Sequence, residues 1–162
     1  MTKVCAITPY ACALACVESI LKDQGIELTQ QQMLDGFAEH FPRWSEHPGI
    51  LEGKDYEPLF KLAGLSVTLC LPKTFAETIT MMRDNSIVGV ILGTSRFWKG
   101  ASKTELIDCW HALRIFGADE LGITAMNPVV WPGPVTVETY RWEEIERFET
   151  QPLALRKITT HV

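Results

Sequence analysis

The chain has 162 residues, 15 of them Lys or Arg and 20 Asp or Glu, so its formal net charge is −5. This length predicts one domain over residues 1–162, and 46% hydrophobic residues with 22% charged residues exclude a disordered chain. The acidic balance argues against a nucleic-acid partner, because proteins that bind nucleic acids present a basic face. No apolar run reaches the ~18 residues of a membrane-spanning helix, so we expect no membrane span.

Cysteine usage indicates neither a disulfide framework nor a metal site. The cysteines are Cys5, Cys12, Cys16, Cys70 and Cys109. Their odd number and low density are not typical of disulfide-stapled domains. Cys12 and Cys16 stand four residues apart, which is a helical spacing and not the two-residue gap of a zinc knuckle, and neither His40 nor His47 stands at a zinc-ligand spacing. We therefore predict no metal and no other cofactor.

The apolar segment that ends at Cys16 also resembles a short lipoprotein signal peptide. Pro9 and Tyr10 interrupt this segment, and Glu18 follows it at once. We therefore expect it to belong to the folded domain. The protein is then expected in the cytoplasm, or exported by a route without a cleaved signal peptide.

The first 64 residues show the periodicity of helices. The predicted elements are a helix over 10–24, a helix from Thr29 to Pro42, a surface loop over 42–53 and a helix over 54–63. Gly25 and Gly64 supply the stops of the first and third helices. Thr29 and Gln32 have the spacing of a capping box.

Beyond Gly64 the pattern changes to strands. The predicted elements up to residue 104 are a strand over 66–71, a helix over 73–84, a strand over 86–92 and a loop over 94–104. They are followed by two strands over 110–116 and 122–126 that a hairpin turn joins, a helix over 141–148 and a strand over 153–158. Helices come first and an antiparallel sheet second, so the predicted fold class is α+β.

Cys12 falls in the first turn of the first predicted helix. Backbone N–H groups at a helix start stabilise a thiolate, which is the nucleophilic form of cysteine, and they also stabilise an oxyanion. Cys16 lies one turn deeper, and we expect it in the core. Taken alone, residue type favours a buried apolar role for both cysteines.

His111 and Asn127 are the partners that a nucleophilic cysteine would need. His111 begins a strand with one predicted buried face, and Asn127 ends the next strand, 16 residues later. A hairpin of this length brings the end of its second strand beside the start of its first, where an amide can fix the imidazole tautomer. A core histidine and an Asn-Pro turn explain the same residues without chemistry.

Three short motifs resemble those of the bacteriocin-processing peptidases, the double-glycine leader branch of the papain-like cysteine peptidases. Residues 12–16 (CALAC) resemble the Cys-Gly-x-Ala-Cys motif, residues 110–117 (WHALRIFG) resemble the strand with the histidine, and Asn127-Pro128 resembles the Asp-Pro pair. The resemblance implies a papain-like α+β fold, with helices packed on a C-terminal antiparallel sheet. It also implies Cys12 at the start of the first helix as nucleophile, His111 as base and Asn127 as orienting residue.

The sequence departs from this branch at two positions. Ala6 stands where the branch has the oxyanion-hole glutamine, six residues before the nucleophile, and Ala13 replaces the motif glycine. Three interpretations therefore stay open. The first is a thiol-dependent hydrolase or acyl transferase that acts on a peptide, protein or amide substrate, including the case of a bacterial effector. The second is an impaired, peptidase-like binding module whose partner surface uses the aromatic residues Phe97, Trp98 and Trp131. In the third, Cys12 and His111 are separate core residues.

Overall fold

The helices and strands form an α+β structure, as the order of the predicted elements indicates. A computed structural model of the chain describes residues 2–70, 73–83, 112–128, 135–143 and 155–159. Its helices in these ranges are α1 Cys12–Asp23, α2 Gln30–Phe37, α3 Tyr56–Leu62 and α4 Phe75–Arg83. Its strands there are β1 Ser66–Cys70, β2 Arg114–Ala118, β3 Gly122–Asn127, β4 Thr136–Arg141 and β5 Leu155–Thr159. The predicted strand over 86–92 and loop over 94–104 lie outside the described residues.

Helix α1 is the centre of the larger hydrophobic core. Residues 13–21 are all buried, so this helix is covered on every side by other elements. The helix begins at Cys12 and not at residue 10, because Ala11 N–H bonds to the carbonyl of Thr8 at 3.1 Å and closes a turn first. Gly25 takes a φ of 77° just after the helix, which confirms the predicted stop.

Helix α2 begins as its sequence predicts and ends earlier. Thr29 Oγ1 accepts from the Gln32 backbone N–H at 3.2 Å, and Gln32 Oε1 accepts from the Thr29 N–H at 2.8 Å, so the capping box is confirmed. The α-helix ends at Phe37, and short 3-10 turns carry the chain on through Pro42.

The segment over 42–53 is not simply a surface loop. Trp44 is only 4% exposed, its ring stacks on Phe41 at a centroid distance of 4.5 Å, and its Nε1 donates to the Ile50 carbonyl at 2.8 Å. Burial of these two aromatic side chains holds the segment against the helices. Helix α3 then starts at Tyr56, after a 3-10 turn, and ends before Gly64, as predicted.

The described strands form two antiparallel sheets, β1 with β5 and β2 with β3 and β4. The predicted hairpin is confirmed, with Arg114 of β2 opposite Met126 of β3. Its first strand begins at Arg114 and not at residue 110, because Ala112 and Leu113 precede the paired residues, and it runs on to Ala118. Strand β4 was not predicted, because its alternating pattern directly follows the proline-rich loop around Pro132 and Pro134. The helix predicted over 141–148 starts only at Trp142, after β4 ends. Residues 144–148 of that helix lie outside the described residues.

Strand β2 connects the two hydrophobic cores. Ala112, just before the strand, packs in the core around α1, whereas Leu113 and Ile115 pack in a second core with Tyr140 of β4. This alternation is that of an extended chain, whose successive side chains point to opposite faces. In the described part of the chain, no helix is both long enough and apolar enough to cross a membrane.

Candidate active site

Cys12 is the first residue of α1 and is half-buried. The residue that precedes it, Ala11, has only a methyl side chain, so no side chain caps the helix start, and the first turn contains no acidic residue. The first N–H groups of a helix have no acceptor within the helix and carry a partial positive charge. The thiol therefore lies at a helix end suited to negative charge.

The start of the β2–β3 hairpin lies directly against this thiol. The backbone N–H of Ala112 donates to Cys12 Sγ, with a nitrogen–sulfur distance of 3.5 Å across 100 residues of sequence. That amide nitrogen is bonded covalently to the carbonyl carbon of His111. His111 itself, like Cys70's side chain and all of Cys109, lies outside what the structure describes.

Asn127 is the last residue of β3 and is completely buried. Because Arg114 stands opposite Met126, the next position outward places Asn127 beside Leu113, two residues after His111. Met126 and Ala112 share the core around α1, against which Cys12 also packs. The structure thus brings the end of the hairpin close to Cys12. Asn127 itself alternates with Met126 along β3, so it lies on the face of Ile123 and Ala125, which pack in the second core.

The segment over 42–53 forms one wall at the start of α1, a role that its sequence did not indicate. The hydroxyl of Thr8 donates to the Pro48 carbonyl at 3.1 Å, and the rings of Tyr10 and His47 lie 4.7 Å apart. Gly49 packs directly against Ala11. Both of these rings are exposed.

A buried amide–carboxylate pair holds the segment that leads to Cys12. Gln30, 2% exposed, donates through Nε2 to the Cys5 carbonyl and to Glu18 Oε2, both at 2.8 Å, and its Oε1 accepts from the Ile7 N–H at 3.1 Å. Sequence reasoning missed this pair, since glutamine and glutamate are usually exposed. Both amide protons of Gln30 are engaged, so Gln30 does not replace the glutamine that is absent at Ala6.

A second buried polar group joins β2 to α1. The guanidinium of Arg114, 4% exposed, contacts Asp23 Oδ2 at 2.8 Å and Ser19 Oγ at 2.5 Å. Asp23 Oδ1 in turn accepts from the backbone N–H and the hydroxyl of Thr2, at 2.8 and 2.9 Å. Burial lowers the pKa of Arg114, and the charge of Asp23 opposes this effect. Sequence reasoning missed these residues too.

Cys16 lies one turn below Cys12 and is completely buried, as predicted. Burial, and next the negative charge of a Cys12 thiolate, raise the pKa of Cys16 well above its ordinary value, although Arg114 acts in the opposite direction. Cys16 is therefore a protonated core residue at neutral pH.

Two further observations concern ligand sites. A cavity of about 260 Å³ lies between His40, Arg43 and Lys54, and Cys12 is not among its lining residues. Within the described residues, no group of three His, Cys, Asp or Glu side chains could hold a metal ion. The cavity is thus separate from the Cys12 thiol, which the sequence identifies as the candidate nucleophile.

The chain matches no protein-family model, and no curated protein sequence matches it.

Proposed function

We propose that this chain is a papain-like thiol hydrolase or acyl transferase that acts on a peptide or amide carbonyl. In this proposal Cys12 is the nucleophile, His111 is the general base and Asn127 orients the imidazole. The single observation that supports it most is the 3.5 Å contact between Ala112 N–H and Cys12 Sγ. Two of the motifs that resemble the peptidase branch meet at this contact.

The three residues would divide the chemistry as follows. His111 takes the proton of the Cys12 thiol, and the resulting thiolate attacks the substrate carbonyl carbon while the carbonyl electrons move to oxygen. The tetrahedral intermediate collapses as His111 donates its proton to the leaving amine, which leaves an acyl group on sulfur. Water, or an acceptor amine in a transferase, then attacks the thioester while His111 takes its proton, and the thiolate is released.

The start of α1 is the proposed oxyanion site. The N–H groups of Cys12 and Ala13 belong to the first helical turn, where no side chain of Ala11 competes for them. Ala6 contributes no donor, and a missing oxyanion donor costs ~10²–10³-fold in kcat in other hydrolases. We therefore propose an enzyme whose oxyanion is stabilised mainly by backbone donors.

A binding module with the same fold is the second candidate. The observation that favours it is the absence of a glutamine donor at Ala6, together with the full engagement of the Gln30 amide. Such a module would retain the cysteine–histidine pair without turnover. Its proposed aromatic surface, Phe97, Trp98 and Trp131, lies outside the described residues.

The pH dependence of Cys12 alkylation tests whether Cys12 and His111 interact as a thiolate–imidazolium pair. Iodoacetamide rates are measured by peptide mapping in wild type, His111→Ala and Asn127→Ala, with the exposed thiol of Cys5 as internal control. A neighbouring imidazolium lowers a thiol pKa from ~8.5 to as low as ~3–4. We expect His111→Ala to move the Cys12 midpoint upward, Asn127→Ala to move it less, and Cys5 to stay unchanged. An unchanged Cys12 midpoint in His111→Ala would contradict the proposal.

A second measurement separates the enzyme from the binding module. Wild type and Cys12→Ala are incubated with a library of fluorogenic peptide amides, and intact mass is followed for an acyl adduct on the protein. The enzyme forms an adduct or product that Cys12→Ala lacks. A shifted alkylation midpoint without adduct or turnover favours the binding module.

A further inference from the structure

We infer that Arg114 is a positioning residue of the site, which holds the start of β2 in the register that places the Ala112 N–H at Cys12 Sγ. This inference rests on the proposed function, in which Cys12 is the nucleophile. It is carried by contacts between β2 and one face of α1.

That face of α1 carries four polar or sulfur side chains in a row. They are Cys12, Cys16, Ser19 and Asp23. Their spacing of four, three and four residues puts them on one side of a helix. Ala112 contacts the first of them, and the guanidinium of Arg114 contacts the last two. The segment that begins β2 is therefore attached to the same helix face at both of its ends.

Arg114 reaches far down this face. From Cys12 to Ser19 the helix rises about 10 Å, at ~1.5 Å per residue, while Ala112 and Arg114 are only two residues apart. The long side chain covers most of this distance and presents its planar fork to Ser19 and Asp23. Ala112 and Arg114 point to the same face of the extended chain, whereas Leu113 points into the second core.

The buried charge makes the register specific. Arg114 is 4% exposed, so its guanidinium depends on Asp23 and Ser19 for compensation. A slip of β2 by one residue would turn this side chain into the apolar core of Leu113 and Ile115, and an unpaired buried charge is strongly destabilising. Asp23 is itself held in place by Thr2, so the acceptor for the guanidinium is oriented in advance.

The test uses the Cys12 alkylation midpoint in Asp23→Asn and Arg114→Lys, each made in wild type and in the His111→Ala background. Arg114→Lys keeps a charge but loses the fork, and Asp23→Asn keeps the arginine but loses its anionic partner. We expect both to raise the midpoint in wild type by about one pH unit, because a hydrogen bond donated to a thiolate favours the charged form and is lost when Ala112 moves. In the His111→Ala background we expect the rise to persist, because the Ala112 N–H contacts Cys12 directly.

A matched control is available on the surface. Arg43 and Glu52 form another Arg–carboxylate pair, but both of these side chains are exposed. The substitution Glu52→Gln removes the anionic partner of Arg43. We expect no change of the Cys12 midpoint in this variant. Circular dichroism and urea unfolding confirm that each variant is folded at the pH of measurement.

The other outcomes separate the two proposals. A midpoint shift in His111→Ala but none in Asp23→Asn or Arg114→Lys overturns the positioning role and leaves the proposed function standing. A fall of the midpoint in Asp23→Asn also overturns it, because the lost negative charge of Asp23 then acts on Cys12 directly. A rise in both variants without any shift in His111→Ala overturns the proposed function and leaves the role of Arg114 standing.

Discussion

Gly49 lies so close to Ala11 that a Cβ on Gly49 would stand 3.0 Å from the Ala11 Cβ and 3.2 Å from its Cα. Ala11 is the residue just before Cys12, so this contact fixes the wall formed by residues 42–53 against the start of α1. Gly49 also has a φ of 92°, which only glycine adopts readily. Small size and conformational freedom are both required at this position.

We predict that Gly49→Ala destabilises the protein more than Gly25→Ala does. Gly25 has a similar φ of 77°, but a Cβ there would meet nothing within 4 Å. Gly25→Ala should cost only the ~1–2 kcal/mol of a left-handed alanine. Gly49→Ala should cost ~1–3 kcal/mol more, for a clash between two packed segments. Urea unfolding of the two variants measures the difference, and equal losses would show that the contact with Ala11 is easily relaxed.

We predict that Cys12 reacts with iodoacetamide faster than any other thiol at mildly acidic pH. Cys16 is completely buried, and burial first and then the charge of Cys12 raise its pKa, so it should react only after unfolding. Cys5 is exposed, and its alkylation rate serves as the internal reference. Limited alkylation followed by peptide mapping gives the order. First labelling of Cys16, Cys70 or Cys109 would contradict the nucleophile assignment.

We predict that Gln30→Ala destabilises the fold by ~2–4 kcal/mol. The substitution removes the side-chain amide that donates to the buried Glu18 carboxylate, and an unsatisfied buried group costs ~1–3 kcal/mol. It also leaves the part-buried Ile7 N–H and Cys5 carbonyl without their present partner. Gln31→Ala is the matched control. Gln31 is exposed, and its amide donates to the exposed Asp35 carboxylate at 2.9 Å, so its loss should stay within ~0.5 kcal/mol. Similar losses of unfolding free energy in the two variants, measured by urea unfolding, would show that the Gln30 contacts do not stabilise the fold.

We predict that Asp23 makes the stability depend on acid pH. Burial raises the pKa of Asp23, but hydrogen bonds from Thr2 and the charge of Arg114 outweigh it and hold the pKa below its ordinary 3.8. The folded state then binds fewer protons than the unfolded state, so this contribution is full above pH 3.8 and is lost as the pH falls through the folded pKa. Asp23→Asn should be less stable than wild type near neutral pH, and the difference in unfolding free energy between the two proteins should become smaller in acid. Urea unfolding midpoints across this pH range measure this difference, and a constant difference would contradict the prediction.

Local patterns in the sequence were sufficient for much of the helical half of this protein. The Thr29–Gln32 capping box and the stops at Gly25 and Gly64 each depend on neighbours within about one turn, so a short stretch of sequence contains the whole signal. The β2–β3 hairpin was predictable for the same reason. Strand β4 was missed because proline-rich residues precede it.

The buried polar contacts were decided only by the tertiary structure. Arg114, Asp23 and Gln30 belong to residue types that are usually exposed, and nothing in their local sequence distinguishes them. Arg114 and Gln30 are buried because a partner more than ten residues away satisfies each of them, and Asp23 is the partner of Arg114. The contact between Ala112 and Cys12 is of the same kind, since it depends on how the hairpin packs on α1 and not on either motif alone.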